Sequence, residues 1–241
     1  MAGNYQLRET PQSVGASVGT GTHAAITHAL QVQIDTGVLG NATEAEQKGL
    51  EAFAQDIEAR GVAFDDLTGT KSQGEMQIVR QTKAYRAKIA PVVKPKLVER
   101  RLEADFGNVI VSGQADILEQ GFKMDDIKTG RMVSPHPPQY GLYVMLHEAH
   151  SGEKIVEFDE QFVPRCPVRA EQAPPQVIAY DVETCKLEAK AVMRHIVKDL
   201  EEWDRTGDAG TFISNPSSFL CSDKWCPAWG TNFCNAWRYK K

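Results

Sequence analysis

No cysteine occurs before Cys166 in this chain of 241 residues, and the five present are all in the C-terminal third. An odd number of late cysteines does not make a disulfide framework; it points to free thiols or metal ligands. Long apolar runs are also missing, which excludes a membrane-spanning helix of about 20 residues. The first residues, Met-Ala-Gly-Asn-Tyr-Gln-Leu-Arg, lack the apolar core of a signal peptide, so an intracellular, cytoplasmic protein is expected. No Gly-x4-Gly-Lys-Ser/Thr loop is present. Any helicase action would therefore have to come from a separate chain. An excess of positive charge is absent too: the net charge is −5. That argues against a protein coating nucleic acid through a broad basic surface, but leaves room for acids gathered at a metal site. No internal repeat or long linker divides the sequence, so one domain spanning 1–241 is expected.

Hydrophobic residues make up 41% and charged residues 24%, as in an ordinary globular protein able to bury a substantial core. Residues 13–31 read as a glycine-rich entry into a helix capped by Thr20 or Thr22, with Ala25, Ile26, Ala29 and Leu30 forming its apolar stripe. A second helix is expected over 43–59, with Leu50, Phe53, Ala54 and Ile57 on one face. A third, over 75–89, stops before Pro91. The pattern then changes to short β-branched segments at 96–106, 108–119 and 121–128, with Gly107-Asn108 and Gln120-Gly121 as tight turns. Prolines 135, 137 and 138 crowd the start of a helix over 137–149, where missing amides cost little. Strands over 154–164 and 176–181 precede an amphipathic helix over 182–206, with Leu187, Ala191, Met193, Ile196, Val197 and Leu200 as expected core positions.

The chemistry concentrates between Gly113 and Tyr143. Asp116 is followed after nine residues by Asp126, with Lys128 two positions on. Strand alternation puts Asp126 and Lys128 on one face and turns Ile127 into the packing on the other. The same alternation groups Val111, Ala115 and Ile117, and places Asp116 with Ile110 and Leu118. A tight hairpin would bring Asp116 and Asp126 close enough to repel, unless a cation lies between them. Oxygen ligands suit a hard ion such as Mg²⁺ or Mn²⁺. Lys128 would then face the attacking water or the scissile phosphate. Asp125 is expected to point away, solvated or paired. His28 and His136 are read as structural or incidental.

Gly113-Gln114-Ala115-Asp116 and Asp126-Ile127-Lys128-Thr129-Gly130 resemble motifs II and III of the PD-(D/E)XK nucleases. Gln139-Tyr140-Gly141-Leu142-Tyr143 resembles the Gln-x3-Tyr helix of the RecB-like branch, and Gly19-Thr20-Gly21-Thr22-His23 is similar to its upstream histidine motif. Glu99, in Val-Glu-Arg-Arg-Leu, resembles the acidic strand before motif II. The likeness spans roughly residues 15–150. It implies an α/β restriction-endonuclease-like core, a mixed central sheet flanked by helices, and metal-dependent DNA hydrolysis. It also implies that His23, Asp116, Asp126 and the Ile127 carbonyl hold Mg²⁺ or Mn²⁺, that Lys128 is the catalytic lysine, and that Gln139 and Tyr143 place the DNA strand. An exonuclease acting on ends or single strands in recombination or processing is favoured. The other readings are a structure-specific or restriction-like endonuclease and a non-catalytic DNA-binding scaffold. A helicase or recombination partner would be a separate chain. The compact form resembles nucleases of phages and mobile elements, or CRISPR-associated adaptation nucleases.

The tail over 216–241 carries Cys221, Cys226 and Cys234 among Trp225, Trp229 and Trp237, and is expected to dock as a packed flap. Three thiolates suit a [4Fe–4S] cluster, as in some RecB-like nucleases. The N-terminal cysteine that completes such a set is absent from this sequence, although a segment upstream of it would be the place for one. Zinc and plain buried thiols remain the alternative readings of the trio.

Overall fold

The computed structural model describes residues 7–107, 109–212, 218, 220–231 and 233–234. Two compact units emerge, residues 12–190 and a smaller one built from the segments before and after them. The larger unit begins with a two-residue strand β1 (Gln12–Ser13), paired in parallel with β2 (Val62–Ala63). Between them lie α1 (Val14–Thr36) and α2 (Ala42–Arg60), and α3 (Lys71–Lys88) follows. The sheet comprises β3 (Pro95–Asp105), β4 (Ile110–Glu119), β5 (Lys123–Gly130), β6 (Glu157–Pro164) and β7 (Gln176–Tyr180), in that spatial order. Helix α4 (Pro137–Ser151) connects β5 to β6, and α5 (Val182–Thr206) follows β7. The β5–β6 pair is parallel and the others are antiparallel, so the sheet is mixed, as expected. The crossover through α4 is what a parallel pair requires.

The first helix starts earlier than expected. Ser13, not Thr20 or Thr22, caps α1, its hydroxyl accepting from the Ala16 amide at 3.2 Å. The glycines taken for an entry turn are inside the helix. Gly21 and Gly49 face each other where α1 crosses α2: a Cβ on either would come within 2.8 Å of the other's carbonyl oxygen. Close helix approach, not chain reversal, explains this glycine-rich run. Asn41 and Thr70 cap α2 and α3 through their side chains.

Two apolar layers enclose the sheet. Ile26 and Leu30 of α1 and Tyr85 of α3 pack on Ile117, Ile127 and Val163. On the opposite face Tyr140, Val144 and Leu146 of α4, with Val182 and Cys185 of α5, pack on Leu102, Ala115, Leu118 and Phe158. Gly141 lets α4 touch the backbone of α5 at Cys185.

The expected core stripe of α5 is corrected. Val182, Cys185 and Ala189 are its buried residues, while Leu187, Ile196 and Leu200 are exposed. At 3.6 residues per turn, Leu187 lies about 140° round the helix from Val182, so the two cannot share a contact face. In the smaller unit, the Trp203 ring lies 5.4 Å from Phe212 and 6.3 Å from Phe233, and the Arg8 guanidinium donates to the carbonyls of Asp223 and Trp229. Trp237 and Asn108 lie outside the described residues. No helix among the described residues is long and apolar enough to cross a membrane.

Candidate metal and hydrolytic site

The site forms where the sheet opens. Strand β3 pairs with β4 from Leu97↔Leu118 to Asp105↔Ile110, and β5 pairs with β6 along its whole length. Strands β4 and β5 pair only at Ile117↔Asp125 and Leu118↔Met124, then diverge. Asp116 and Asp126 are the first residues beyond that pairing. The Ile127 amide, which no β4 carbonyl meets, donates instead to Asp116 Oδ2 at 2.7 Å. A strand residue's N–H and C=O leave the same edge, so the Ile127 carbonyl faces the opening as well. It lies against the His23 imidazole and favours the protonated ring.

The alternation expected for β4 breaks at this point. Ala115 and Leu118 both face α4, whereas Ile117 faces α1. Asp116 therefore does not share the face of Leu118. The partner strand breaks in the same place: Leu102 faces α4, Val98 packs toward α1, and Glu99 between them has φ +50°. A left-handed non-glycine residue costs on the order of 1–3 kcal/mol and persists only when its surroundings hold it. Here Thr27 Oγ1 donates to Glu99 Oε1 at 3.1 Å, and Gln114 Nε2 donates to Oε2 at 2.5 Å.

These distortions gather His23, Glu99 and Asp116, with one ligand atom from each within 4.8 Å of the others. His23 Nδ1 is 3.6 Å from Asp116 Oδ2 and 4.0 Å from Glu99 Oε1. Two carboxylates and an imidazole facing one another, with a carbonyl beside them, fit a divalent cation better than they fit themselves. Burial, reinforced by the Glu99 charge, pushes the Asp116 carboxyl up to about 7, against the opposing Ile127 amide and Lys128. Burial and then Asp116 raise Asp126 to about 6, against Lys128. Burial lowers the His23 imidazole, against the pull of Glu99. Each shift has burial as its largest cause and favours the uncharged form of its group, which a bound cation would reverse.

Asp126 belongs to the neighbouring half of the site. Almost fully buried, it holds Lys128 Nζ at 2.7 Å from Oδ2. The same ammonium donates to Gln139 Oε1 at 3.2 Å, and Gln139 Nε2 donates to the Tyr143 hydroxyl at 2.6 Å. Gln139 and Tyr143, one turn apart on α4, thus form a relay ending on Lys128. Gly113 leaves room for it, since a Cβ there would meet the Tyr143 ring at 3.0 Å. Behind the relay, Tyr140 presents its ring 5.9 Å from Lys128 Nζ and donates its hydroxyl to the fully buried Glu160 at 2.6 Å.

Asp125 is buried and paired, the second of the two alternatives expected for it. It shares Lys123 with Glu119 and Asp159, and burial plus the Glu119 charge raise it to about 8. His136 is exposed at the start of α4 and makes no side-chain cap. Cys221, Cys226 and Cys234 are half-buried thiols and form no group as tight as that of His23, Glu99 and Asp116 among the described residues. Sequence reasoning did not place Glu99 with His23 and Asp116. Its only signal was an acid ahead of the Asp116 strand, and the backbone turn that aims it leaves no mark in the residue types.

The sequence profile of the PD-(D/E)XK nuclease superfamily matches residues 2–231. The chain belongs to that superfamily. A solved structure described as a "Putative exonuclease" from Eubacterium rectale superposes with a TM-score of 0.56 at 11% identity, covering 88% of this chain and 75% of that one. At that identity the likeness concerns the fold. A second solved protein, SSO0001, aligns at 15% identity over 78% of this chain and 77% of its own, with a TM-score of 0.28, and carries no weight here. No curated protein matches this PD-(D/E)XK chain.

Proposed function

We propose that this nuclease is a Mg²⁺- or Mn²⁺-dependent deoxyribonuclease, a RecB-like exonuclease that takes DNA ends or single strands during recombination or processing. The observation that carries the reading is the ligand group of His23, Glu99 and Asp116 beside an ammonium held by Asp126 and Gln139. In this reading His23, Asp116 and the Ile127 carbonyl hold the ion, Glu99 joins them, and Asp126 completes the set by exchanging Lys128 for metal. A bound divalent ion would supply Lewis acidity toward the scissile phosphate. Lys128, released toward the substrate, places its charge against the phosphoryl oxygens as negative charge builds there. Gln139 and Tyr143 orient Lys128 and stand next to the strand it meets. In this reading the nuclease works beside a helicase or recombination partner in another chain, inside a bacterial or phage-infected cell.

The test is hydrolysis of end-labelled linear, circular and single-stranded DNA with Mg²⁺ or Mn²⁺, comparing wild type with Lys128→Ala. Metal-dependent shortening of linear DNA by wild type alone is expected. Equal cleavage by both proteins, or none by folded, Mn²⁺-bound wild type, overturns the reading. Preferential cutting of closed circles moves it to an endonuclease.

A further inference from the structure

The hairpin of β3 and β4 runs on past the metal ligands, and its two faces differ. On one face Leu102 and Ala104 of β3 and Val111 of β4 pack toward α4, and a Cβ on Gly113 would meet the Tyr143 ring. Strand alternation turns Arg101, Glu103, Ser112 and Gln114 to the other face, where all four are exposed. That face also carries the ligand group, since Gln114 Nε2 donates to Glu99 Oε2 at 2.5 Å. Arg101 pairs directly across from Gln114, and Gln114 is two residues, or about 7 Å of strand, before Asp116. The Arg101 guanidinium thus stands on open surface near the ligands, donating to the Ser112 hydroxyl at 3.1 Å.

Charge pairing sets this arginine apart. Lys128 is held by Asp126, Arg131 by Asp66 and Arg165 by Asp65. The adjacent Arg100 points to the α4 side, where it meets the His150 ring at 3.0 Å. Arg101 has a neutral hydroxyl as its partner and forms no ion pair among the described residues. A guanidinium left in that state presents a planar fork of donors that matches a phosphate group. Toward the hairpin tip the same face carries Glu103 and Asp105, both exposed. Their charge repels a phosphodiester backbone, so a strand that meets Arg101 leaves the hairpin there rather than following it to the tip.

We infer that Arg101 is a phosphate-binding residue on the outer side of the metal site, clamping the substrate strand away from the bond that is cut. The inference rests on the nuclease reading above. At about 3.4 Å per nucleotide, the strand length between Arg101 and the ligands corresponds to about two nucleotides. Lys128 and the ligand group act on the scissile phosphate, while Arg101 fixes the direction from which the strand reaches them. Such a contact carries no base information, so it contributes alike to every sequence. The Ser112 hydroxyl takes one of the guanidinium N–H groups and orients the rest before a strand arrives.

Steady-state hydrolysis of a single-stranded oligonucleotide with Mn²⁺, over a series of NaCl concentrations, tests this with wild type, Arg101→Ala, Arg101→Lys and Ser112→Ala. Arg101→Ala is expected to raise KM by about tenfold or more, with kcat and Mn²⁺ affinity within about threefold of wild type. The slope of log(kcat/KM) against log[NaCl] should become shallower by about 0.7, the value of one lost phosphate contact on a single strand. Arg101→Lys should keep the wild-type slope, because the charge remains, while KM rises by a smaller factor as the planar fork is lost. Ser112→Ala should keep the wild-type slope and a KM close to wild type. An unchanged slope in Arg101→Ala, or the same rise in KM from Ser112→Ala, assigns Arg101 to holding the hairpin and overturns the inference while the nuclease reading stands. No hydrolysis by Mn²⁺-bound wild type removes both.

Discussion

Lys128 is the residue on which the two halves of the site meet, because its ammonium is shared between Asp126 at 2.7 Å and Gln139 at 3.2 Å. Lys128→Ala removes the cation that Asp126 and Gln139 hold beside the ligand group. The loss expected in kcat is about 10²–10³-fold, the size seen when a single charge-stabilising donor is deleted. Stopped assays at saturating DNA and Mn²⁺ measure it, and a loss below tenfold would assign Lys128 to structure. Tyr140→Phe is a milder change. It keeps the ring beneath Lys128 but takes one of two phenolic donors from Glu160, whose remaining partner is Tyr180 at 3.1 Å. A buried carboxylate left short of a donor costs about 1–3 kcal/mol, readable as a lower urea midpoint, while kcat should fall far less than in Lys128→Ala. The residues that carry the proposed chemistry were legible because their spacing, nine residues and then one, is set by a hairpin and the period of a strand. Glu99 was less so, since its orientation depends on a positive φ that no side-chain pattern encodes.

Elements are located well by periodicity and aimed poorly by it. The helix stop before Pro91 and the order of the strands follow from local rules that tertiary structure does not override here. The start of α1 does not, because a glycine inside a close helix crossing looks the same in sequence as a glycine in a turn. The same ambiguity hid how α1 delivers His23. One turn before that histidine, Gly19 lies against β5, where a Cβ would come within 2.8 Å of Thr129 Oγ1. Gly19→Val should therefore push α1 off the strand and separate His23 from Asp116. The expected outcome is a weakening of Mn²⁺ binding by about tenfold or more, in the range seen when ligand-orienting contacts of a metal site are lost. Isothermal titration of wild type, Gly19→Val and a Gly19→Val/Thr129→Ala double variant measures it. Partial rescue in the double variant is expected, because the hydroxyl that met the new side chain is gone. Equal affinity in all three would mean that α1 can shift without moving its histidine.

At the scale of the whole molecule, the buried carboxylates couple stability to pH and to metal. Free of metal, Asp116, Asp126 and Asp125 titrate at about 7, 6 and 8, against an ordinary value of 3.8. Between pH 5 and 7.5 the folded chain therefore holds protons that the unfolded chain has already shed. Stability falls wherever the native state binds more protons, so these three acids make it fall as pH rises. The imidazoles of His23 and His147, both lowered below 6.5 by burial, act in the opposite sense because the unfolded chain protonates first. The two imidazoles offset the three acids only in part, so the net slope keeps the sign set by the acids, each net proton held by the native state being worth roughly 1.4 kcal/mol per pH unit. A divalent ion requires Asp116 and Asp126 as carboxylates, so its binding expels their protons and strengthens with pH. The melting temperature of chelator-treated protein is thus expected to decline from pH 5 to 7.5, while protein with excess Mn²⁺ stays nearly level, the gap widening with pH as site occupancy grows. Asp125→Asn should flatten the decline of the chelated protein without altering the Mn²⁺ increment, since Asp125 shares Lys123 with Glu119 and Asp159 and is not one of the gathered ligands. A chelated protein that gains stability across that range would mean that the carboxylates at the opening of the sheet are already ionised, and that Lys128 alone compensates them.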